Sequence, residues 1–352
     1  MPRKYGELPW YQLFTLVASL APLPVILLWT ALVSSHTSKS LRRVLGERCL
    51  KYAAIHTSVA QQQFIFGTTI ATYRKWTKQN GIPAVIDDVG EDAHVLWIGE
   101  RRTDRVLFFC HGGCYFLPVT DFLLSFWRYV QLELKKRDIE IGIALLSYSL
   151  APMAAFPTPA KQATLALQFI LDSGVEPRNL FMAGDSAGGN LVLQVISNML
   201  HPHTGIPSLN PSQPIRSIGL FSPWMSFTTE ANSFDQFDGI DFLDRRILGN
   251  YGKELLRGYS EEDNAFAEPA KAPQEWFTGS AAFVDHFFVT AGEKEVMRDD
   301  IVRVAELLKE CHGNVELVVQ ERGVHDDMFI DFFTGEKNLG SLTPKVIEWL
   351  AG

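Results

Sequence analysis

The chain has 352 residues with an ordinary apolar and charged content, which excludes a disordered or low-complexity protein. Its net charge of −8 leaves no basic field for nucleic acid. Four cysteines at 49, 110, 114 and 311 are too scattered for a disulfide framework. Cys110 and Cys114 lack the His or Cys companions of a zinc site, so no metal is expected.

The first predicted element is a membrane segment. Leu8 to Ser35 carries no charge, and Trp10 to Val33 is almost wholly apolar. As a helix it is long enough for a hydrocarbon core of about 30 Å. Trp10, Tyr11 and Trp29 suit the interfaces, and Pro22 and Pro24 would kink it. A cleaved signal peptide has a shorter apolar core. A helix lying in the interface, or a core element, are the other competing readings. A single N-terminal anchor over 1–36 is the expectation. Arg3 and Lys4 precede it, whereas Lys39, Arg42, Arg43, Arg48 and Lys51 follow it, which favours a cytosolic body. Asn210-Pro211-Ser212 is disqualified as a glycosylation site by its proline, in agreement with that side.

Residues 37–81 read as a helical cap segment, with Leu41, Val44, Leu45 and Tyr52 at helical spacing. From 82 to 352 short apolar runs alternate with helical stretches. Strands are expected at His94–Ile98, Arg105–Cys110, Ile139–Ser147, Leu180–Ala183, Ile215–Phe221, Phe287–Ala291 and Val315–Gln320. Helices are expected at Ser125–Arg137, Thr158–Ser173, Asn190–Leu200 and about 299–311. This alternation implies an α/β fold, a mostly parallel sheet covered by helices on both faces. Residues 202–214 read as a surface loop. The stretch 224–280 reads as an insertion over the C-terminal edge of the sheet.

Gly184-Asp185-Ser186-Ala187-Gly188 fits Gly-x-Ser-x-Gly, the sharp strand-to-helix turn that presents a nucleophilic serine. An apolar strand precedes it and an apolar helix follows. Upstream, His111-Gly112-Gly113-Cys114-Tyr115 also ends a strand. Such a loop aims backbone N–H groups at a developing oxyanion, together with the N–H of Ala187. His111 belongs to that loop and is not expected to be the base. In the order Ser…acid…His the base comes from downstream. His325, just after the strand at 315–320, lies at the same sheet edge as Ser186. His312 and His286 lie at the opposite edge or before a strand. His201 and His203 have no third ligand for a metal. For the acid, Glu293, Glu295, Asp299 and Asp300 are candidates by position. The last two are expected to start a helix, and spacing does not choose between the glutamates.

Five blocks resemble the hormone-sensitive-lipase-type α/β hydrolases: His111-Gly-Gly; Tyr148-Ser-Leu-Ala-Pro152 with Phe156-Pro157; the Gly184-Asp-Ser-Ala-Gly-Gly elbow; Glu295-Val-Met-Arg-Asp299; and His325. The membrane leader and the Gly-Val-His-Asp-Asp ending are more narrowly similar to fungal steryl acetyl hydrolase-like esterases. The resemblance implies an α/β-hydrolase fold and a Ser186–His325–Glu295 triad, with Glu295 where the family usually has Asp. It implies an oxyanion site lined by Gly112, Gly113, Cys114 and Ala187, the last three as donors. Cys114 replaces the family's third glycine and narrows the acyl side.

The activity implied is hydrolysis, through an acyl-enzyme, of a hydrophobic acetate ester such as a sterol, terpenoid or other fungal metabolite, at a membrane such as the endoplasmic reticulum. No cofactor and no nucleic acid are implied. Amide or formamide hydrolysis on the same triad, and a catalytically silent membrane-bound binding scaffold, are the alternatives. With an unperturbed imidazole, activity is expected to rise around pH 6.5.

Overall fold

The computed structural model describes residues 5–34 and 39–352. Arg3, Lys4 and Ser35, cited above for the charge flanks and the end of the apolar run, lie outside the described residues. The apolar N-terminal run forms two helical stretches, α1 (Trp10–Leu20) and α2 (Leu23–Val33), which together make one helix of 24 residues, long and apolar enough to cross a membrane. Pro22 and Pro24 sit at the junction, where missing N–H groups interrupt the ladder.

The cap segment expected at 37–81 is three helices: α3 (Leu41–His56), α4 (Val59–Phe66) and α5 (Thr69–Gln79). Each start is fixed by a side-chain cap. Ser40 accepts from the Arg43 N–H, Ser58 and Gln61 form a reciprocal capping box, and Thr68 accepts from Ala71.

Eight strands form one sheet: β1 (Val85–Gly90), β2 (Ala93–Ile98), β3 (Val106–Cys110), β4 (Gly142–Ser147), β5 (Leu180–Asp185), β6 (Ser217–Phe221), β7 (Phe287–Gly292) and β8 (Val315–Gln320). Their order is β1-β2-β4-β3-β5-β6-β7-β8. β1 and β2 pair antiparallel, as do β2 and β4; every later pairing is parallel. β1 is absent from the sequence reading because Val85-Ile-Asp-Asp-Val-Gly is a half-exposed edge strand without an apolar run.

Helices cover both faces. Val106, Phe108 and Cys110 of β3 join the layer of α7 (Thr158–Asp172) and α8 (Ala187–Leu200). Leu107 and Phe109 join the layer of α6 (Asp121–Lys135). The insertion expected at 224–280 contains three short helices, α9 (Asn232–Phe237), α10 (Arg245–Leu256) and α11 (Asn264–Ala267). The chain closes with α12 (Arg298–His312), α13 (Asp327–Thr334) and α14 (Leu342–Ala351).

The parallel register decides where chemistry can occur. Cys110 lies opposite Gly184, Asp185 opposite Phe221, and Gly292 opposite Gln320. The C-terminal ends of β3, β5, β6, β7 and β8 therefore share one edge. The segments that leave it carry His111, Ser186, Ser222, Glu295 and His325.

Candidate active site

Ser186 occupies the turn between β5 and α8 with φ +49° and ψ −120°, a conformation that non-glycine residues rarely hold. The surrounding backbone fixes it. Its N–H donates to the Phe221 carbonyl at 2.9 Å, and its carbonyl accepts from Trp224 N–H at 2.9 Å. A Cβ at Gly184 would strike the Gly188 carbonyl, and one at Gly188 would strike the Cys110 carbonyl. The motif glycines are thus set by packing between turn, helix and neighbouring strand.

Glu295, fully buried, follows β7. Its Oε2 accepts from the Gly292 N–H at 2.8 Å and from the Ser222 hydroxyl at 2.9 Å. Its Oε1 stands 2.7 Å from His325 Nδ1. A carboxylate held this firmly fixes both the tautomer and the orientation of the ring. Glu293 turns elsewhere, accepting from the Arg322 N–H at 2.7 Å. Asp299 and Asp300 lie in the first turn of α12, as expected, and Asp299 accepts from the Ser233 N–H at 2.9 Å.

The loop after β3 turns sharply through positive φ at Gly113 (+96°), Cys114 (+56°) and Tyr115 (+65°). The Gly112 N–H donates to Asp185 Oδ1 at 2.8 Å, so Gly112 lines the site without a free donor. Among the described residues, the N–H groups of Gly113, Cys114 and Ala187 donate no hydrogen bond within the protein. Asp185 therefore clamps the loop to the serine turn. His111 is buried away from proton transfer: Nδ1 lies 2.8 Å from the Gly112 carbonyl, and its ring stacks on Tyr148 at 4.6 Å. Burial lowers its pKa to about 4, which keeps the ring neutral.

Three residues at the site have no role assigned from the sequence, although Asp326 stands in the Gly-Val-His-Asp-Asp ending. Ser222, at the end of β6, bridges Glu295 Oε2 and the Asp326 N–H. Asp241, from the insertion, accepts from the Val296 N–H at 3.0 Å and the His325 N–H at 3.4 Å; burial pushes its pKa up to about 7. Asp326, in the left-handed conformation at φ +50°, brings Oδ2 to 3.1 Å from His325 Nε2. Position is the advance signal for two of them, since Ser222 directly follows β6 and Asp326 directly follows His325, while Asp241 depends on how the insertion folds.

Nε2 is the nitrogen that a serine hydroxyl would have to reach. No Ser186–His325 hydrogen bond is formed in this state; Asp326 stands at that nitrogen instead. Burial disfavours the imidazolium, but Asp326 and then Glu295 outweigh it and hold the His325 pKa well above its usual 6.5. Asp185 and Asp326 are coupled in turn. Burial and then the Asp326 charge raise Asp185 well above the ordinary carboxylate range, and burial with the Glu295 charge raises Asp326.

Among the described residues, no group of three or more His, Cys, Asp or Glu side chains is arranged to hold a metal. His201 contacts the Trp276 carbonyl, His203 faces Asp263, and His312 contacts the Val284 carbonyl.

A family model for the alpha/beta hydrolase fold matches residues 107–329. Among curated proteins, the chain is 24% identical over 246 residues to mug81 of Schizosaccharomyces pombe, provisionally described as a steryl acetyl hydrolase; the match covers 66% of this chain and 62% of that protein. It is 25% identical over 207 residues to an acetyl-hydrolase of Streptomyces hygroscopicus, covering 58% and 62%. A shorter match, 33% over 118 residues, is to arylacetamide deacetylase of Bos taurus, covering 30% and 28%. The chain thus spans less than two thirds of the length of these curated relatives. A bacterial esterase of the hormone-sensitive lipase family superposes with a TM-score of 0.66 at 20% identity, covering 90% of this chain and 99% of that one.

Proposed function

Because the chain belongs to the alpha/beta hydrolase fold family, we propose that it is a serine carboxylester hydrolase of the hormone-sensitive-lipase type, acting on hydrophobic acetate esters. The observation that carries this reading is the buried Glu295–His325 pair at 2.7 Å, at the strand edge that also bears Ser186. The acetyl-hydrolase names of the relatives support the acyl group.

In the proposed mechanism Ser186 Oγ attacks the ester carbonyl carbon while its proton passes to His325 Nε2. The carbonyl oxygen takes up negative charge facing the N–H groups of Gly113, Cys114 and Ala187. His325 then protonates the leaving alcohol as the C–O bond breaks, which leaves Ser186 acylated. Water, deprotonated by the same imidazole, releases the acid and restores the serine. Glu295 orients the ring and balances its charge throughout. The Cys114 side chain narrows the space beside the acyl carbon and favours a short acyl group.

The test is turnover of p-nitrophenyl esters of increasing chain length, with acetate or butyrate preferred and Ser186→Ala inactive. The similarity to an arylacetamide deacetylase favours a second reading, amide cleavage by the same residues. Parallel assays on p-nitrophenyl acetate and p-nitroacetanilide separate the two. The segment Trp10–Val33 is read as a membrane anchor, in keeping with a substrate that partitions into lipid.

A further inference from the structure

The apolar helix does not stand clear of the body. The Tyr52 hydroxyl of α3 donates to the Ser19 carbonyl at 2.9 Å. Gln61 Nε2 of α4 reaches the Gln12 carbonyl and the Thr15 hydroxyl, both at 3.0 Å. α2 packs along α3, and α1 packs against α3 and α4. One face, including Leu16, Leu20, Leu23 and Leu27, turns toward these helices and is buried or half-buried. The opposite face exposes Trp10, Phe14 and Val17 in α1 and Val25, Leu28 and Leu32 in α2, three or four residues apart within each half. α4 adds exposed Phe64, Ile65 and Phe66 beside it.

On these contacts, and given the anchor reading above, we propose that residues 10–33 lie flat in one leaflet of a lipid bilayer, with their outward face and Phe64–Phe66 forming a single docking surface. A spanning helix would have to draw α3 into hydrocarbon, because both halves of the segment pack on it. α3 carries Arg42, Glu47, Arg48 and Lys51, whose charges are costly there. α3 cannot follow freely either. Its buried Arg43 is bonded to the Asp327 carbonyl at 3.0 Å and to Asp331 at 2.6 Å, both in α13.

A bilayer is the occupant that fits. From Leu8 to Ser34 there is no charged side chain. Thr15 on this helix is turned back onto the Gln12 carbonyl, so it offers little to a protein partner. Trp10 and Trp29 are exposed aromatic rings of the kind that settle at headgroup depth. The docking surface is also tied to the site: Gln63 of α4 donates to the Phe116 and Ala151 carbonyls, each at 2.9 Å, in the loops after β3 and β4. Docking thereby sets those loops close to the membrane surface.

The experiment places epitope tags before residue 1 and after residue 352 of the full chain, and exposes sealed microsomes to protease. Tags cleaved on the same side, together with at least several-fold weaker binding of Phe64→Glu/Phe66→Glu to phosphatidylcholine vesicles, are the expected results. Tags on opposite sides, with vesicle binding indifferent to Phe64 and Phe66, would overturn the flat arrangement while leaving the anchor intact. A full chain that stays out of membranes, or covers this face by forming a stable dimer that ignores vesicles, would overturn both.

Discussion

His325 presents Nε2 to the carboxylate of its own neighbour, Asp326, at 3.1 Å, while Nδ1 faces Glu295 at 2.7 Å. Carboxylates therefore stand at both ring nitrogens, an arrangement that favours the imidazolium. In the proposed mechanism the ring must begin neutral to accept the serine proton. The other charged groups near it are Asp241, which accepts from its backbone N–H, and Asp185, which faces Asp326 from the serine turn.

The sign of the pH dependence follows. A His325 pKa raised above 6.5 means that kcat/KM increases through a limb lying on the alkaline side of that value. Asp326→Asn removes the largest attraction for the charged ring, so the limb should move to lower pH, and the variant should outperform the parent at pH 6.5. Profiles of kcat/KM between pH 5 and 9 (roughly the window around an ordinary histidine) measure this. A limb that does not move would show that Asp326 does not hold the imidazolium.

Glu295→Gln should preserve the shape of the hydrogen bond to His325 and remove the charge, at a cost of ~10⁴ in kcat by analogy with triad carboxamides. Glu293→Gln should cost less than about tenfold, since this side chain serves the Arg322 N–H. Steady-state kinetics on a soluble acetate ester distinguish them. The reverse ranking would make Glu293 the acid.

Much of this site is legible in the chain. Ser186, His325 and the glycine loop announce themselves because tight turns at a sheet edge admit few residue types. Glu295 is separated from Glu293 in the sequence only by the spacing of a family motif. In the fold the difference is plain, because Gly292 N–H and Ser222 fix one of them. The roles of Asp326 and Asp241 are not legible. Asp326 stands in the Gly-Val-His-Asp-Asp ending but matters through a left-handed backbone turn, and Asp241 matters through the fold of the 224–280 insertion, which leaves no local pattern. The same holds for β1, an acidic edge strand. α13 and α14 also went unread.

Arg43 joins the cap to the site. Its side chain is 6% exposed and pairs with Glu47, Asp327 and Asp331, the last two shortly after His325. Arg43→Ala should destabilise the fold by about 3–5 kcal/mol, since it strands buried carboxylates. Urea unfolding followed by fluorescence measures it. A loss below about 1 kcal/mol, the scale of an exposed pair, would mean that the network is solvated.

Deleting residues 1–36 leaves α3 fastened through Arg43. The truncated body should leave the membrane fraction and still hydrolyse p-nitrophenyl acetate at a largely unchanged rate. Fractionation with a parallel assay checks both halves. A truncated protein that still pellets after carbonate washing would place the main membrane contact elsewhere, with Phe64–Phe66 the first segment to examine and the insertion at 224–280 the next.

The proposed chemistry rests on Ser186 as the nucleophile activated by His325. A fluorophosphonate probe tests it without knowledge of the natural substrate, with the adduct mapped by mass spectrometry of the tryptic peptides. One adduct is expected, on Ser186, absent in Ser186→Ala and slowed by orders of magnitude in His325→Ala. Labelling that persists in Ser186→Ala, or a folded wild-type chain that takes up no probe across the alkaline range, would contradict it.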